Sequence, residues 1–181
     1  MWNDLSIFYY KLLFMRSVQC KGIAVITLLI ALFSNQLYAQ KKQDNKELAI
    51  EKLITTRNYV FKAQTVLPTS PTANRQLTSD YDVRISPDTI ITYLPYFGRA
   101  YNAPMDPTKG GIQFTSTKFD YTQTERKKGG WDIVIKPHDT QDTRLMSFSI
   151  SESGYASLQV ISNNRQPIMF NGYITEKKTK K

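Results

Sequence analysis

His138 is the only histidine in the chain, it stands beside Asp139 after Lys136-Pro137, and Ser147, Ser149, Ser151 and Ser153 follow it. Together they could supply a Ser/His/Asp triad, in which the imidazole takes the hydroxyl proton and the carboxylate holds the imidazole tautomer. Two features count against it. No Gly-x-Ser-x-Gly elbow presents any of these serines. They also alternate with Met146, Phe148 and Ile150, which puts them on the polar face of a strand, where serine is ordinary. His138 therefore reads as a loop residue, and no catalytic residue is assigned.

Metal chemistry needs several convergent ligands, and one histidine leaves only carboxylates. Asp80 and Asp82 share one face of a strand, and Arg84 continues that face, so a solvated charge row is the simpler reading. No metal site is assigned. Paired carboxylates for glycoside hydrolysis meet only in three dimensions, and spacing does not single out a pair. Lys109-Gly110-Gly111 lacks the strand-to-helix context of a phosphate-binding loop, so no nucleotide cofactor is expected, and none of another kind. Arg126-Lys127-Lys128 reads as a solvated hairpin tip.

The densest unusual segment runs from Tyr93 to Pro107 and gathers aromatic residues, Arg99 and three prolines in one long connection. Tyr96, Phe97, Arg99 and Tyr101 could present a stacking surface and a charged donor to a sugar, a peptide or another planar group. In the competing reading Tyr96, Phe97 and Tyr101 fold back as a lid on the core while Arg99 satisfies carbonyls. Asn164 and Arg165, in a later turn, form a second and weaker candidate patch.

The elements that must position these residues follow from periodicity. Asp44 with Glu47 resembles an N-terminal capping arrangement, and Leu48, Ile50, Leu53 and Ile54 recur at helical spacing, which predicts a helix over 45–57. The period then changes to two. A strand begins at Tyr59, and a hairpin follows with Tyr81, Val83 and Ile85 on one arm and 89–94 on the other. Ile112 and Phe114 mark another strand. Phe119 and Tyr121 pair with Trp131, Ile133 and Ile135, and three meander strands around 146–150, 156–160 and 168–174 close the domain. Pro68 to Arg75 reads as a surface loop. Helix first and hairpin-linked strands afterwards predict an α+β fold, with the N-terminal helix packed on a mostly antiparallel, multi-stranded β-sheet. Whether the sheet curls into a partial barrel stays open.

Residues 1–39 carry a targeting signature: Arg16 and Lys21, an apolar run from Gly22 to Phe33, then Leu37-Tyr38-Ala39. The run is short for a spanning helix. It reads as a secretory signal peptide cleaved after Ala39, with 1–14 an upstream extension before Met15. Cys20 falls inside it, so the mature chain has no cysteine for disulfides or thiolate chemistry. The expected organisation is a basic linker over 40–47, one domain over 48–176 and a Lys-rich tail over 177–181. The net charge of +9 sits largely in those flanks, because 48–176 carries 14 basic and 12 acidic residues. No nucleic-acid partner is expected, and the mature chain has no membrane span.

Three blocks carry a family resemblance: 76–84 (QLTSDYDVR), 93–101 (YLPYFGRAY) and 162–168 (SNNRQPI). With them the chain, from about 48 to 175, resembles a family of secreted Bacteroidota proteins known as domain of unknown function 4251. The resemblance implies an exported single-domain protein of a Gram-negative bacterium and brings no activity, ligand or catalytic residue with it. The leading functional reading is a non-enzymatic periplasmic or secreted module, binding or structural, whose partner is a cell-envelope ligand or protein. The alternative is a cell-envelope hydrolase using His138 or carboxylates that the fold brings together. Attachment of the Lys-rich tails to an anionic surface is a third.

Overall fold

The computed structural model describes residues 45–69, 74–101 and 110–177. The expected signal segment, the linker up to residue 44, the middle of the Pro68 to Arg75 loop, the far end of the aromatic connection with Pro104 and Pro107 (102–109) and the tail from 178 lie outside the described residues.

Helix α1 covers 45–55. Ile50 and Ile54, four apart on one face, are buried in the core, whereas Leu48 is exposed, so the apolar stripe is narrower than the spacing suggested. The helix ends two residues earlier than expected. Arg57 adopts a left-handed φ of 51°, its amide bonds the Ile54 carbonyl at 3.1 Å, and the Asn58 amide bonds the Leu53 carbonyl at 3.2 Å. That pattern closes a helix and usually recruits glycine at the left-handed position. Here the arginine is retained with its guanidinium 4.6 Å from the Tyr121 ring centre.

Nine strands follow: β1 (Tyr59–Pro68), β2 (Arg75–Ile85), β3 (Ile90–Leu94), β4 (Ile112–Ser116), β5 (Phe119–Glu125), β6 (Trp131–Pro137), β7 (Thr143–Ile150), β8 (Tyr155–Ser162) and β9 (Ile168–Thr175). All pair antiparallel in one sheet of order β4-β3-β2-β1-β9-β8-β7-β6-β5. The antiparallel multi-stranded sheet and the helix that precedes it are as expected, but the fold is mostly β, so the α+β class holds only in part. An 11-residue helix is outweighed by a nine-stranded sheet.

Closure follows from chain length. β4 and β5 occupy opposite edges, yet only Thr117 and Lys118 join them. Laid flat, nine strands at about 4.8 Å spacing would put those edges roughly 38 Å apart. Two residues reach about 11 Å. The sheet must therefore curl until its edges meet, giving a nearly barrel-like form. The loop after β6 clasps that corner. Asp139 accepts hydrogen bonds from the Ser116 hydroxyl and from the amides of Thr117 (2.8 Å) and Lys118 (3.2 Å), while the His138 amide bonds the Lys118 carbonyl at 2.7 Å. These donors, the Ser116 hydroxyl first, hold the Asp139 carboxyl at a pKa of about 2.

Inside the curl the alternate residues of each strand meet. Phe61 of β1 packs edge-on against Phe148 of β7, with ring centres 5.6 Å apart. The Tyr59 and Tyr121 hydroxyls lie 3.3 Å apart, joining β1 to the edge strand β5, and burial pushes both phenols above their ordinary pKa, Tyr59 the further. Ile50 of α1 packs where a side chain on Gly154 would stand, so the helix is seated against the β7–β8 turn.

Candidate functional site

The structure brings the two sequence-derived patches together. The connection after β3 and the turn between β8 and β9 form a short bridge, Ala100 opposite Arg165, with the Tyr101 amide on the Asn164 carbonyl (2.8 Å) and the Gln166 amide on the Arg99 carbonyl (3.1 Å). Arg165 fastens this junction. Its Nη1 donates to the carbonyls of Gly110 (2.7 Å) and Gly111 (3.0 Å), its Nε lies 2.9 Å from Asp142 Oδ2, and its guanidinium sits 5.2 Å from the centre of the Tyr96 ring. Its side chain is 11% exposed. Asp142 also accepts from the Asn164 amide at 3.1 Å.

Tyr96 completes the fastening. Its hydroxyl donates to the Arg99 carbonyl at 2.8 Å and lies 3.1 Å from that of Gln166, and burial raises its pKa despite the bond to Gln166 and the nearby Arg165. The arginine that satisfies carbonyls is thus Arg165; Arg99 is exposed. Phe97, beneath the Arg75 guanidinium at 5.1 Å, and Tyr101, 66% exposed, are the ring surfaces this region leaves outward. Of the six candidates, Tyr96, Asn164 and Arg165 hold the loops to one another, and Phe97, Arg99 and Tyr101 face solvent.

The other chemistry-bearing residues are dispersed. His138 Nε2 lies 3.1 Å from Asp120 Oδ2, with both side chains more than half exposed, while Asp139 is engaged by the β4–β5 corner. Ser147 is the first of its serines up the β6–β7 ladder, paired with Val134, four residues from His138 and so about 13 Å along the strand. Asp82 corrects the solvated charge row: it is buried, held by Lys62 at 3.1 Å and Arg84 at 3.4 Å, with Asp80 at 3.8 Å from Lys62. Arg126 is likewise no solvated tip. Its Nη2 bonds the Ile150 carbonyl at 2.8 Å and its Nε lies 3.6 Å from Asp132. Among the described residues no group of three or more His, Cys, Asp or Glu side chains is arranged to hold a metal.

A surface that the sequence reading missed lies on the outer face of the sheet. β1 carries one extra residue, Gln64, because Ala63 pairs with Gly172 while Thr65 pairs with Asn171. Such a bulge re-aims the side chains around it. It depends on Gly172, where a Cβ would overlap the Lys62 carbonyl oxygen. Beside the bulge runs a shallow groove of about 470 Å³ lined chiefly by Gln64, Thr65, Ser149, Tyr155, Ser157 and Asn171, with Arg126 at one end. Thr65, Asn171, Ser157 and Ser149 form one continuous cross-strand row, and the Ser157 hydroxyl donates to Asn171 Oδ1 at 2.7 Å. The adjacent row pairs Tyr93 with Asp82, Lys62 with Tyr173 and Tyr173 with Tyr155. Tyr155 is 65% and Tyr173 39% exposed. The alternation of β8 and β9 already turned these residues outward. Only the strand order shows that they are neighbours.

Chemically this face offers hydroxyl and carboxamide groups, which both donate and accept, beside the exposed rings of Tyr155 and Tyr173. Among the described residues no helix is long and apolar enough to cross a membrane.

The fold is similar to a crystal structure of a DUF4251 family protein from Bacteroides eggerthii, with a TM-score of 0.52 at 13% identity over 74% of this chain and 87% of that one. No curated protein matches the chain. A family profile described as Domain of unknown function (DUF4251) matches residues 41–174, and the chain belongs to that family.

Proposed function

We propose that the chain is exported and acts in the cell envelope as a non-enzymatic binding module, contacting its ligand through the outer face of β1, β9 and β8. One observation carries this reading. Tyr155 and Tyr173 stand opposite each other on the outside of the curled sheet, 65% and 39% exposed, at the edge of the polar groove. Large rings left in water on a rigid scaffold gain their stabilisation when a partner covers them. The sheet supplies that rigidity, because each of the three strands is paired with a neighbour on both sides.

The loop patch plays a supporting part. Phe97, Arg99 and Tyr101 extend the exposed surface at one end of the molecule, and Tyr96 with Arg165 keeps that end in place.

Residues from Asn45 onward form a compact unit with its own core, so the chain from residue 40 is the form to test. Amide spectra of 40–181 recorded with solubilised envelope fractions should shift at 62–65, 155–157 and 171–173. A face that stays unperturbed with every fraction removes the reading. Export is tested separately, by N-terminal sequencing of the protein recovered from the periplasm or medium: a start at Gln40 is expected, and full-length protein retained in the cytoplasm would overturn it.

A further inference from the structure

We infer that the outer-face groove takes an uncharged oligosaccharide chain, laid across β2, β1, β9, β8 and β7 past Gln64 of the bulge. The inference rests on the binding reading above and names the chemistry of the ligand.

The lining argues for it first. Apart from Arg126, the side chains facing the groove are hydroxyls, carboxamides and one phenol. Arg126 is already bonded to the Ile150 carbonyl and lies beside Asp132, so it is poorly placed to select an anion. A dense array of groups that both donate and accept is complementary to a ligand with the same property, and sugar hydroxyls have it. Ser157 fixes Oδ1 of Asn171, which leaves the amide Nδ2 as the group directed at a ligand.

Tyr155 supplies the second element. The Lys46 ammonium lies 5.6 Å from its ring centre, so the electron-rich face of the ring already attracts a positive group. The polarised C–H face of a pyranose makes the same kind of contact, and Lys46, on the first turn of α1, is a flexible side chain that a sugar can displace.

Length is the third. Gln64 also borders the depression formed with Gln76 to Tyr81 of β2 and the one formed with Lys46 and Tyr173, so three shallow surfaces meet at the bulge residue. From β2 to β7 the run crosses four strand spacings, about 19 Å, which suits a chain of several sugar units rather than a single ring.

Two other ligand classes fit less well. An extended peptide adds to a sheet at its edge, where backbone groups are unpaired. The groove lies over interior strands paired on both sides, with the ladders interrupted around Gln64 rather than left open along an edge. A nucleic acid requires a row of free cations along the phosphates, whereas of Lys46, Lys62 and Arg126 along this run Lys62 is held by Asp80 and Asp82 and Arg126 by the Ile150 carbonyl and Asp132.

The test is a titration of 40–181 with three neutral tetrasaccharides, maltotetraose, cellotetraose and tetra-N-acetylchitotetraose, followed through the amides of 64–65, 149–157 and 171–173. At least one should shift these positions with saturation, and its affinity should be unchanged between about 0.01 M and 0.15 M salt. Tyr155→Ala should weaken that binding about tenfold, the factor equivalent to 1.4 kcal/mol, and Tyr155→Phe should restore it. Gln64→Ala should weaken it with the amide spectrum otherwise intact. Shifts confined to the Phe97–Tyr101 end, or binding that Tyr155→Ala leaves unchanged, would overturn the assignment of the groove. If saccharides leave the face silent while a saccharide-free envelope fraction perturbs it, the ligand class is wrong and the binding reading survives. Silence with both removes both.

Discussion

Two regions of this molecule are rich in aromatic and polar side chains, and they behave in opposite ways. At the junction of the β3–β4 connection with the β8–β9 turn, Tyr96 and Arg165 are bound up with Asp142 and with four carbonyls, those of Arg99, Gln166, Gly110 and Gly111. On the outer face, Tyr155 and Tyr173 remain exposed beside hydroxyl and amide groups whose contacts with each other are few. The same residue types make a fastening in one place and an open surface in the other. Saturation separates them: a buried guanidinium must have its donors met by the protein, since leaving one unmet costs about as much as a lost charged hydrogen bond. A ring on the outside of a strand carries no such obligation.

The largest effect should come from the backbone beneath the open surface. Gly172→Ala places a methyl group on the Lys62 carbonyl oxygen across the bulge, and rigid backbone cannot move aside as a side-chain tip would. A loss of about 3 kcal/mol is expected, the upper end for overpacking, together with displaced amides at 62–65. Chemical unfolding and an amide spectrum check it. A fully stable variant with unmoved amides would mean the bulge is not held by this close approach, and the outer face would lose its preorganised centre.

Next in size is the contrast between two arginines that the sequence treats alike. Arg165→Ala removes two carbonyl bonds, the contact with Tyr96 and the partner of Asp142, and should cost about 2 kcal/mol, a fall of roughly 6 °C in Tm for a domain of this size. Arg99→Ala should stay within about 0.5 kcal/mol of the parent, as exposed substitutions do. Equal losses would break the comparison at its base, since the two loops would then be held by something other than Arg165.

A smaller effect distinguishes exposure from availability. Asp139 is at the surface, yet Ser116, Thr117 and Lys118 engage its carboxylate and hold its pKa at about 2. A carboxyl whose pKa is depressed on folding contributes stability that is present above its unfolded value, about 3.9, and is lost as pH falls through the folded one. Stability of the parent should therefore decline between about pH 4 and pH 2, and Asp139→Asn should decline less steeply over that window. Unfolding curves taken at a series of pH values check this. Parallel acid limbs would mean that the corner does not hold the carboxylate.

The uneven legibility of the sequence has the same physical origin. All nine strands stood out because each alternates, as in Met146, Phe148 and Ile150 against Ser147 and Ser149, and alternation is a local property. The helix was legible through Ile50 and Ile54 but overextended, because nothing local shows that Arg57 turns left-handed. Strand order is not local. The curl follows from β4 and β5 lying at opposite edges of one sheet, which the two-residue link Thr117-Lys118 does not reveal by itself. The bulge at Gln64 and the row Thr65, Asn171, Ser157, Ser149 share that property, since each joins residues from strands far apart in sequence. The dense segment 93–101 is conspicuous because its residues are adjacent in the chain, and the same adjacency lets Tyr96 bond Arg99 and serve the scaffold.

The smallest expected effect is the most discriminating. If Tyr155 and Tyr173 are present for a partner and not for the fold, replacing both with serine should leave the melting temperature of 40–181 nearly unchanged, a difference within about 0.5 kcal/mol. Some loss is built in, because Tyr155 and Tyr173 are direct cross-strand neighbours and such aromatic pairs contribute roughly 0.2–1 kcal/mol. Exposure offsets it: with Tyr155 65% in solvent, the serine pair frees apolar surface from water and keeps every ladder bond. A melting temperature that falls as far as it does for Arg165→Ala would make the outer rings a second fastening. The two regions would then differ only in how much of each ring the solvent reaches.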